Sequence, residues 1–179
     1  MLGLPYPGGP EISRLAESAR FENLPQVAKF TRPMIHSDNL DFSFSGLKTA
    51  VLYYIRDYLK NHEELSQETK RDIAREFEDT VVDVLLNKTK QALEETGAKT
   101  LIIAGGVIAN KKLREVFSKL EEKYWPLVVK TPTHALSTDN ALMIACATFI
   151  NVTLYPEILS TSPKIIANGN LRLDKKIAT

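Results

Sequence analysis

The clearest pattern of apolar positions along the chain belongs to one long amphipathic helix. Between residues 67 and 96, apolar side chains recur at intervals of three, four and seven or eight residues, as on one helical face. The stripe comprises Ile73, Phe77, Val81, Val84, Leu85 and Leu93. Because Ser66 can cap this segment and Gly97 can end it, the pattern predicts a helix over residues 67–96 that packs into a core.

Two short apolar runs follow this helix, and each is typical of a parallel strand covered on both faces. The runs are residues 100–104 and 127–130, followed by helical patterns over residues 110–123 and 139–151. The segment between the runs is long enough for a right-handed crossover. We therefore predict that the two strands are adjacent and parallel.

The first 60 residues and the last 28 carry weaker patterns. The predicted order at the beginning is a loop (6–10), a short helix (11–20), a further loop (21–39), a brief strand (41–45) and a helix (47–60). Gly46 is expected to end the strand. Residues 152–179 are expected to form a tail with at most one short element.

Composition places the chain among soluble globular proteins. Of its 179 residues, 44% are apolar and 25% are charged, and the net charge of +1 creates no overall basic field. A nucleic-acid ligand would therefore need a local basic patch. Two small basic clusters exist, Lys111, Lys112 and Arg114 in one and Lys29 and Arg32 in the other, but a solvated helix face explains both.

Cysteine usage and hydropathy favour the cytoplasm. Cys146, the single cysteine, permits no internal disulfide, and its apolar surroundings in sequence predict a buried side chain. No stretch approaches the roughly 20 apolar residues of a membrane span. The N-terminus has neither the basic nor the apolar region of a signal peptide. We expect a cytoplasmic protein without a membrane partner.

The glycines that follow the first apolar run are a candidate ligand site. Gly105 and Gly106 remove every Cβ at the carboxyl edge of the predicted sheet, where open α/β sheets bind ligands. Asn110, at the start of the next helix, has an amide that can hydrogen-bond a base or a ribose. The alternative is purely structural, with a Gly-Gly turn and an asparagine N-cap.

Asp139 is a candidate metal ligand at the same edge, just after Ser137 and Thr138, either of which can cap the helix that follows. One carboxylate cannot hold a metal without further ligands. His36, His62 and His134 have no short spacing, so we expect them to be surface residues. The alternative for Asp139 is an acidic residue favoured by the helix dipole.

Four longer segments combine these features. They are residues 3–10 around Gly8-Gly9-Pro10, residues 40–49 around Ser45-Gly46-Leu47, residues 104–110 around Gly105-Gly106, and residues 137–145 around Asp139-Asn140. In their order and spacing they resemble the TsaD family, formerly called the O-sialoglycoprotein endopeptidase family. The resemblance extends from about residue 2 to residue 149, and four ordered motifs of this length make it specific.

The resemblance implies an α/β fold of the actin-like, sugar-kinase-like ATPase (ASKHA) type. Residues 1–151 would be the C-terminal part of its second lobe, with a helical insertion over about residues 11–97, and residues 152–179 a tail. Family members transfer a threonylcarbamoyl group from threonylcarbamoyl-AMP to N6 of the tRNA adenosine 3′ of the anticodon.

The resemblance also implies the site residues. Gly9 matches a glycine beside the bound adenine nucleotide, Asn110 an asparagine that contacts it, and Gly105 and Gly106 belong to the same binding segment. Asp139 matches the aspartate that ligates a divalent metal, iron or zinc. The implied partners are tRNA, a non-catalytic paralogue and the ATPase subunit of the threonylcarbamoyl-transfer complex.

The chain departs from the family pattern at its beginning. The two histidines that complete the metal site and a phosphate-contacting loop lie upstream of the Gly-Gly-Pro segment in the family. We therefore expect a missing N-terminal half and no activity of this chain on its own. The alternatives are a non-catalytic scaffold or nucleotide-binding partner of the same complex, and a sugar-kinase-like module. Peptidase activity is disfavoured because no His-Glu-x-x-His helix is present.

Overall fold

A computed structural model describes residues 1–160, which belong to two compact units. The first unit is Met1–Thr138 and the second begins at Asp139. The first unit contains α1 (Gly8–Phe21), α2 (Ser45–Tyr58), α3 (Gln67–Thr96), β1 (Thr100–Ile102), α4 (Lys111–Ser118), α5 (Leu120–Lys123) and β2 (Val128–Lys130). In the second unit, α6 (Ala141–Leu154) is followed by a 3-10 turn, Pro156–Ser160. The assignment of residues 1–151 to one lobe stays a prediction.

The long helix α3 has the bounds that its caps predict. The Ser66 hydroxyl accepts a hydrogen bond from the Thr69 backbone N–H at 3.0 Å. Gly97 ends the helix in the left-handed conformation, with φ of 61°, and its N–H donates to the Leu93 carbonyl at 2.9 Å. A residue with a Cβ is strained in this conformation, which explains the glycine.

Helix α3 contributes to two hydrophobic clusters, and its predicted stripe packs against both of them. The first cluster comprises Leu2, Ala28, Phe30, Leu47, Val51, Ile55 and Ile73. The second comprises Val82, Leu93, Ile108, Leu113, Phe117, Leu120 and Leu127. Ile73 lies in the N-terminal half of α3, and Val82 and Leu93 lie further along it, so one helix serves both clusters.

The two strands are adjacent and parallel, as predicted, with Thr100 opposite Val128 and Ile102 opposite Lys130. The expectation that both faces are covered is wrong for the described residues. Alternate side chains of a strand point to opposite faces, and Leu101 and Val129 are the β1 and β2 residues that pack against the second cluster. Ile102, on the other face, keeps 71% of its surface exposed.

Two predictions for the first part of the chain are wrong. Gly8 and Gly9 open α1 instead of forming a loop, because Pro10 falls in the first turn, where a missing backbone N–H costs no hydrogen bond. Residues 41–45 do not form a strand. Ser45 and Gly46 instead begin α2, and alternation over five residues cannot form a strand without a neighbouring strand to pair with.

The later helices also differ from their predicted bounds. The helix expected over residues 110–123 is divided into α4 and α5, with Asn110 as the N-cap of α4. Neither Ser137 nor Thr138 caps α6, since the Asn140 side chain accepts from the Met143 N–H at 3.1 Å. Cys146 is exposed rather than buried. The predicted tail over residues 152–179 lies mostly outside the described residues.

Charged side chains of α3 hold the loop between α1 and α2. One Asp72 oxygen accepts from the backbone N–H groups of Val27 and Ala28, at 3.0 and 2.7 Å. The Arg75 guanidinium donates to the Leu24 carbonyl at 2.7 Å and to that of the next residue at 2.8 Å. A backbone segment without regular structure thus finds hydrogen-bond partners on the helix it crosses.

Two further α3 residues extend this contact. The Glu76 carboxylate accepts from the buried Phe30 N–H at 2.9 Å and from the Gln26 amide at 2.6 Å, and it also pairs with Arg32. The buried Lys88 ammonium donates to the carbonyl oxygens of residues 37 and 39, at 2.8 and 2.6 Å, and to the residue 37 hydroxyl. The spacing of apolar residues, from which the helix was predicted, indicates none of these contacts.

Candidate functional site

Asn110 lies where a 3-10 turn, Gly106–Ala109, meets the first turn of α4. The turn begins after Gly105, whose φ of 92° is strained for any residue that has a Cβ. Its requirement for glycine is therefore conformational. The turn leads the chain from the end of β1 to the N-cap position of α4, which Asn110 occupies as the structural alternative proposed. A ligand role for Asn110 stays a prediction.

The Asn110 amide has hydrogen-bond partners on both its acceptor and its donor side. Its oxygen accepts from the Leu113 N–H at 2.8 Å, as expected of an N-cap. Its nitrogen donates to the Ser13 hydroxyl at 2.8 Å and to the Glu78 carboxylate at 2.6 Å. Asn110 therefore joins α4 to α1 and α3 as well as capping its own helix.

Glu78 is the buried centre of this network. One of its oxygens accepts from Asn110 and from Ser13, the latter at 2.8 Å, and the other accepts from Arg20 at 2.6 Å. Burial by itself would lower the pKa of Arg20. Hydrogen bonds to Glu78 and Asp79, together with the charges of the two carboxylates, outweigh it and raise the pKa, so the charge of Glu78 is balanced by a guanidinium.

Gly9 and Asn110 line the same pocket. Its volume is about 410 Å³, which falls within the usual range for small-molecule sites. The pocket lies between α1, α3 and the start of α4, and most of its wall is apolar. The lining comprises Gly9, Ile12, Ser13, Phe77, Glu78, Val81, Val82, Val107, Asn110 and Leu113. Two residues that are distant in sequence and were predicted to share a ligand are thus brought together.

The glycines differ in what the fold requires of them. A Cβ at Gly9 would meet no atom of the described residues within 4 Å, and the φ of Gly9 is not positive. The same is true of Gly106, although Gly105 and Gly106 lie outside the pocket lining, which Val107 reaches. A glycine inside a helix costs about 0.5–1 kcal/mol relative to alanine. Packing among the described residues therefore does not explain Gly9, whereas close approach of a ligand would.

Asp139 belongs to the second unit, directly before the N-cap of α6, and its predicted metal role stays a prediction. The side chains that the structure describes include no cluster of three histidine, cysteine, aspartate or glutamate residues able to hold a metal ion. The described residues thus do not make a metal site by themselves. His36 and His62 are exposed, as expected, and the His62 ring stacks on Tyr58 at 3.9 Å.

Most residues of the basic clusters noted in the sequence interact with other groups of the protein. Lys111 and Lys112 form ion pairs with Glu17 and Glu115. Arg114 donates to the carbonyl of residue 132 at 2.9 Å and to the hydroxyl of residue 137 at 2.8 Å. In the second cluster, Arg32 pairs with two carboxylates of α3. The carboxylates paired with Lys111, Lys112 and Arg32 weaken the attraction of these three charges for a phosphate backbone.

Comparison with known proteins decides the family. The sequence profile described as tRNA N6-adenosine threonylcarbamoyltransferase (TsaD) matches residues 1–146, which include the whole pocket lining. The chain belongs to the TsaD family. This family implies an ASKHA-type fold, and the helices and small parallel sheet are in keeping with an α/β protein of that kind.

Curated relatives carry the same description, tRNA N6-adenosine threonylcarbamoyltransferase. The chain is 46% identical to one from Neisseria meningitidis over 161 residues, which cover 82% of this chain and 44% of the relative. It is 48% identical to one from Chromobacterium violaceum, over 82% of this chain and 42% of the relative. It is 45% identical to one from Burkholderia vietnamiensis, over 90% of this chain and 46% of the relative. The chain thus spans somewhat less than half the length of these relatives.

The sequence motifs singled out Gly9 and Asn110 as candidates but gave no indication of the side chains that hold Asn110. Ser13 and Glu78 lie on two other helices, and no local motif connects them to residue 110. One signal was present, since Glu78 lies four residues from both Ala74 and Val82, which are buried. A carboxylate in the middle of an apolar i, i+4 row is expected to be buried and hydrogen-bonded.

No helix among the described residues combines the length and hydropathy needed to cross a membrane.

Proposed function

We propose that this chain carries the nucleoside pocket of a tRNA N6-adenosine threonylcarbamoyltransferase. The observation that carries the proposal is the pocket itself, in which Gly9 and Asn110 meet although they are far apart in sequence. The family match spans both residues and the whole pocket lining. The ligand we propose is the adenosine part of threonylcarbamoyl-AMP.

The pocket suits one end of such a ligand. Its apolar wall, with Val81, Val82 and Val107, can contact the faces of a purine, and its polar side chains can meet the edge of the base or the ribose. In the proposed reaction, N6 of a tRNA adenosine attacks the carbamoyl carbon, the bond to the phosphate oxygen breaks, AMP leaves and N6 loses a proton. The pocket would hold the AMP moiety throughout and so orient the reacting carbon.

The described residues form no metal site, so we assign no metal-dependent step to them. In a complete enzyme Asp139 would contribute one ligand to an iron or zinc ion, and the remaining ligands would come from other parts of the enzyme, since the described side chains form no metal-binding cluster. We therefore expect the purified 179-residue chain to bind neither ion stoichiometrically. Metal analysis after dialysis tests this. Tight, stoichiometric zinc that disappears in Asp139→Ala would contradict it.

Replacing Asn110 by alanine is expected to weaken adenosine binding and also to lower stability. Loss of one neutral hydrogen bond corresponds to about 0.5–1.5 kcal/mol, or roughly a 2- to 13-fold weaker affinity. Loss of an N-cap costs about 0.5–2 kcal/mol of stability. Calorimetric titration of adenosine, at a temperature where the variant is folded, measures the affinity. A thermal melt measures the stability, so the two effects are separated.

Ser66→Ala is the matched control for this experiment. It removes the N-cap of α3, where Ser66 accepts from Thr69, and Ser66 is not among the residues that line the pocket. The control is expected to melt earlier while it binds adenosine as the unchanged chain does. An unchanged dissociation constant for Asn110→Ala would leave Asn110 with its cap role only.

We expect transfer activity to require the N-terminal part of the relatives, which this chain does not cover. The assay uses unmodified tRNA and threonylcarbamoyl-AMP, first with the chain by itself and then with the unmatched N-terminal part of the Chromobacterium violaceum relative as a second polypeptide. We expect product only from the mixture, and none from the mixture when the chain carries Asp139→Ala. Product from the chain by itself would contradict this division of roles.

A further inference from the structure

The hydrogen-bond network around Asn110 determines which way its amide points. An asparagine side chain can present its oxygen and nitrogen in either of two orientations related by a flip. The Leu113 N–H requires the oxygen on one side, and the Glu78 carboxylate requires the nitrogen on the other. The flipped amide would face an N–H with an NH₂ group and a carboxylate with a carbonyl, so it is strongly disfavoured.

This orientation limits what Asn110 can offer to a ligand. The amide nitrogen donates to both Ser13 and Glu78, so its donor side faces acceptors of the protein. The amide oxygen has two lone pairs and uses one for Leu113, and no second donor reaches it among the side chains that the structure describes. What remains at Asn110 is an acceptor.

Glu78 adds a second acceptor to the same pocket. Within the described residues, one of its oxygens has two donors and the other has one, from Arg20. An ionised carboxylate cannot donate, and it repels phosphate. The polar groups that line the pocket beside Gly9 therefore favour ligand groups that carry N–H or O–H.

We propose that Glu78 is a positioning residue, which fixes the Asn110 amide so that the pocket recognises the hydrogen-bond donors of a nucleoside. This inference rests on the proposed function for the identity of the ligand. The donors in question are the 6-amino group of adenine and the ribose hydroxyls, and the phosphate end of the ligand would point away from Glu78.

The first arm of the test uses no ligand. Nuclear magnetic resonance of the ¹⁵N-labelled chain follows exchange of the two Asn110 side-chain protons with water, assigned by their loss in Asn110→Ala. In the unchanged chain both are expected to exchange slowly. In Glu78→Met, which keeps volume but removes the acceptor, at least one is expected to exchange at least tenfold faster. In Glu78→Gln, whose amide oxygen can still accept, both remain slow.

The second arm measures specificity. Adenosine is compared with purine riboside, which lacks the 6-amino group, and with 2′-deoxyadenosine and 3′-deoxyadenosine. At least one analogue is expected to bind roughly 2- to 13-fold more weakly than adenosine to the unchanged chain. Glu78→Met should lose that preference, because the freed amide can also donate, whereas Glu78→Gln should retain it.

Glu17→Ala is the control, because Glu17 is an exposed carboxylate of α1 that pairs with Lys111 and does not contact Asn110. It should change neither exchange nor preference. Should Glu78→Met not fold, Ser13→Ala must speed exchange of one Asn110 proton.

The outcomes are distinct. Slow exchange of both protons in folded Glu78→Met, or in Ser13→Ala, overturns the positioning role. Equal affinity of the unchanged chain for adenosine and all three analogues overturns the donor preference. If the unchanged chain binds no adenosine, the proposed function and the donor preference fail together, while the exchange arm still decides whether Glu78 orients Asn110.

Discussion

Glu76→Ala is expected to lower the free energy of unfolding by about 3–5 kcal/mol, because it removes one partner of a buried ion pair. The Glu76 side chain is only 2% exposed, and it holds the Phe30 N–H, the Gln26 amide and Arg32. Alanine would leave a buried backbone donor and a partly buried guanidinium without their acceptor. Urea unfolding followed by circular dichroism should show the midpoint move down by roughly 1 M or more.

Asp83→Ala is the matched control for this change. Asp83 lies on the same helix and accepts from the same arginine at 3.0 Å, but its side chain is 48% exposed. An exposed ion pair contributes about 0–1 kcal/mol, so the midpoint should move little. Similar losses in the two variants would mean that burial of Glu76 does not determine its contribution.

Leu47→Ala is expected to cost about 2–5 kcal/mol, the usual range for a leucine removed from a well-packed core. Leu47 lies within the family motif of residues 40–49, where it keeps 1% of its surface exposed and packs in the first hydrophobic cluster. Its part in the motif is therefore structural. Thermal and urea unfolding both measure the effect.

Leu52→Ala, on the same helix, provides the comparison. Leu52 keeps 38% of its surface exposed, so the same substitution removes fewer contacts and should cost clearly less. If the two variants unfolded at the same midpoint, the burial assigned to the motif would be wrong.

The parts of the fold that the sequence predicted well are those with local chemical markers. Helix α3 could be bounded to the residue because Ser66 and Gly97 act on the backbone within one turn. The two strands could be paired because a crossover of suitable length leaves few arrangements open. Both predictions depend on short-range rules.

The errors occurred where long-range packing decides. The alternation over residues 41–45 satisfies the local pattern of a strand, yet no strand lies beside it among the described residues. Cys146 was expected to be buried because its neighbours in sequence are apolar, but burial depends on what packs against the helix. The charged residues of α3 that hold the loop between α1 and α2 could not be recognised from the pattern of apolar positions.

The candidate site also contains residues that local motifs predict and residues that only long-range contacts reveal. Gly9 and Asn110 were predicted from motifs, and the pocket brings them together. Ser13 and Glu78 could not be assigned to Asn110, because their contacts join three helices that are separate in the sequence. Asp139 remains a motif-based prediction.

Sharing α3 between the two hydrophobic clusters has a consequence for how the first unit opens. The helix has 30 residues and extends about 45 Å, and neither cluster can come apart without exposing part of it. The two clusters should therefore unfold as one cooperative unit rather than as separate segments. Backbone amides of α3 between residues 73 and 93 should exchange with deuterium more slowly than any others in this unit, and damage to either cluster should loosen both.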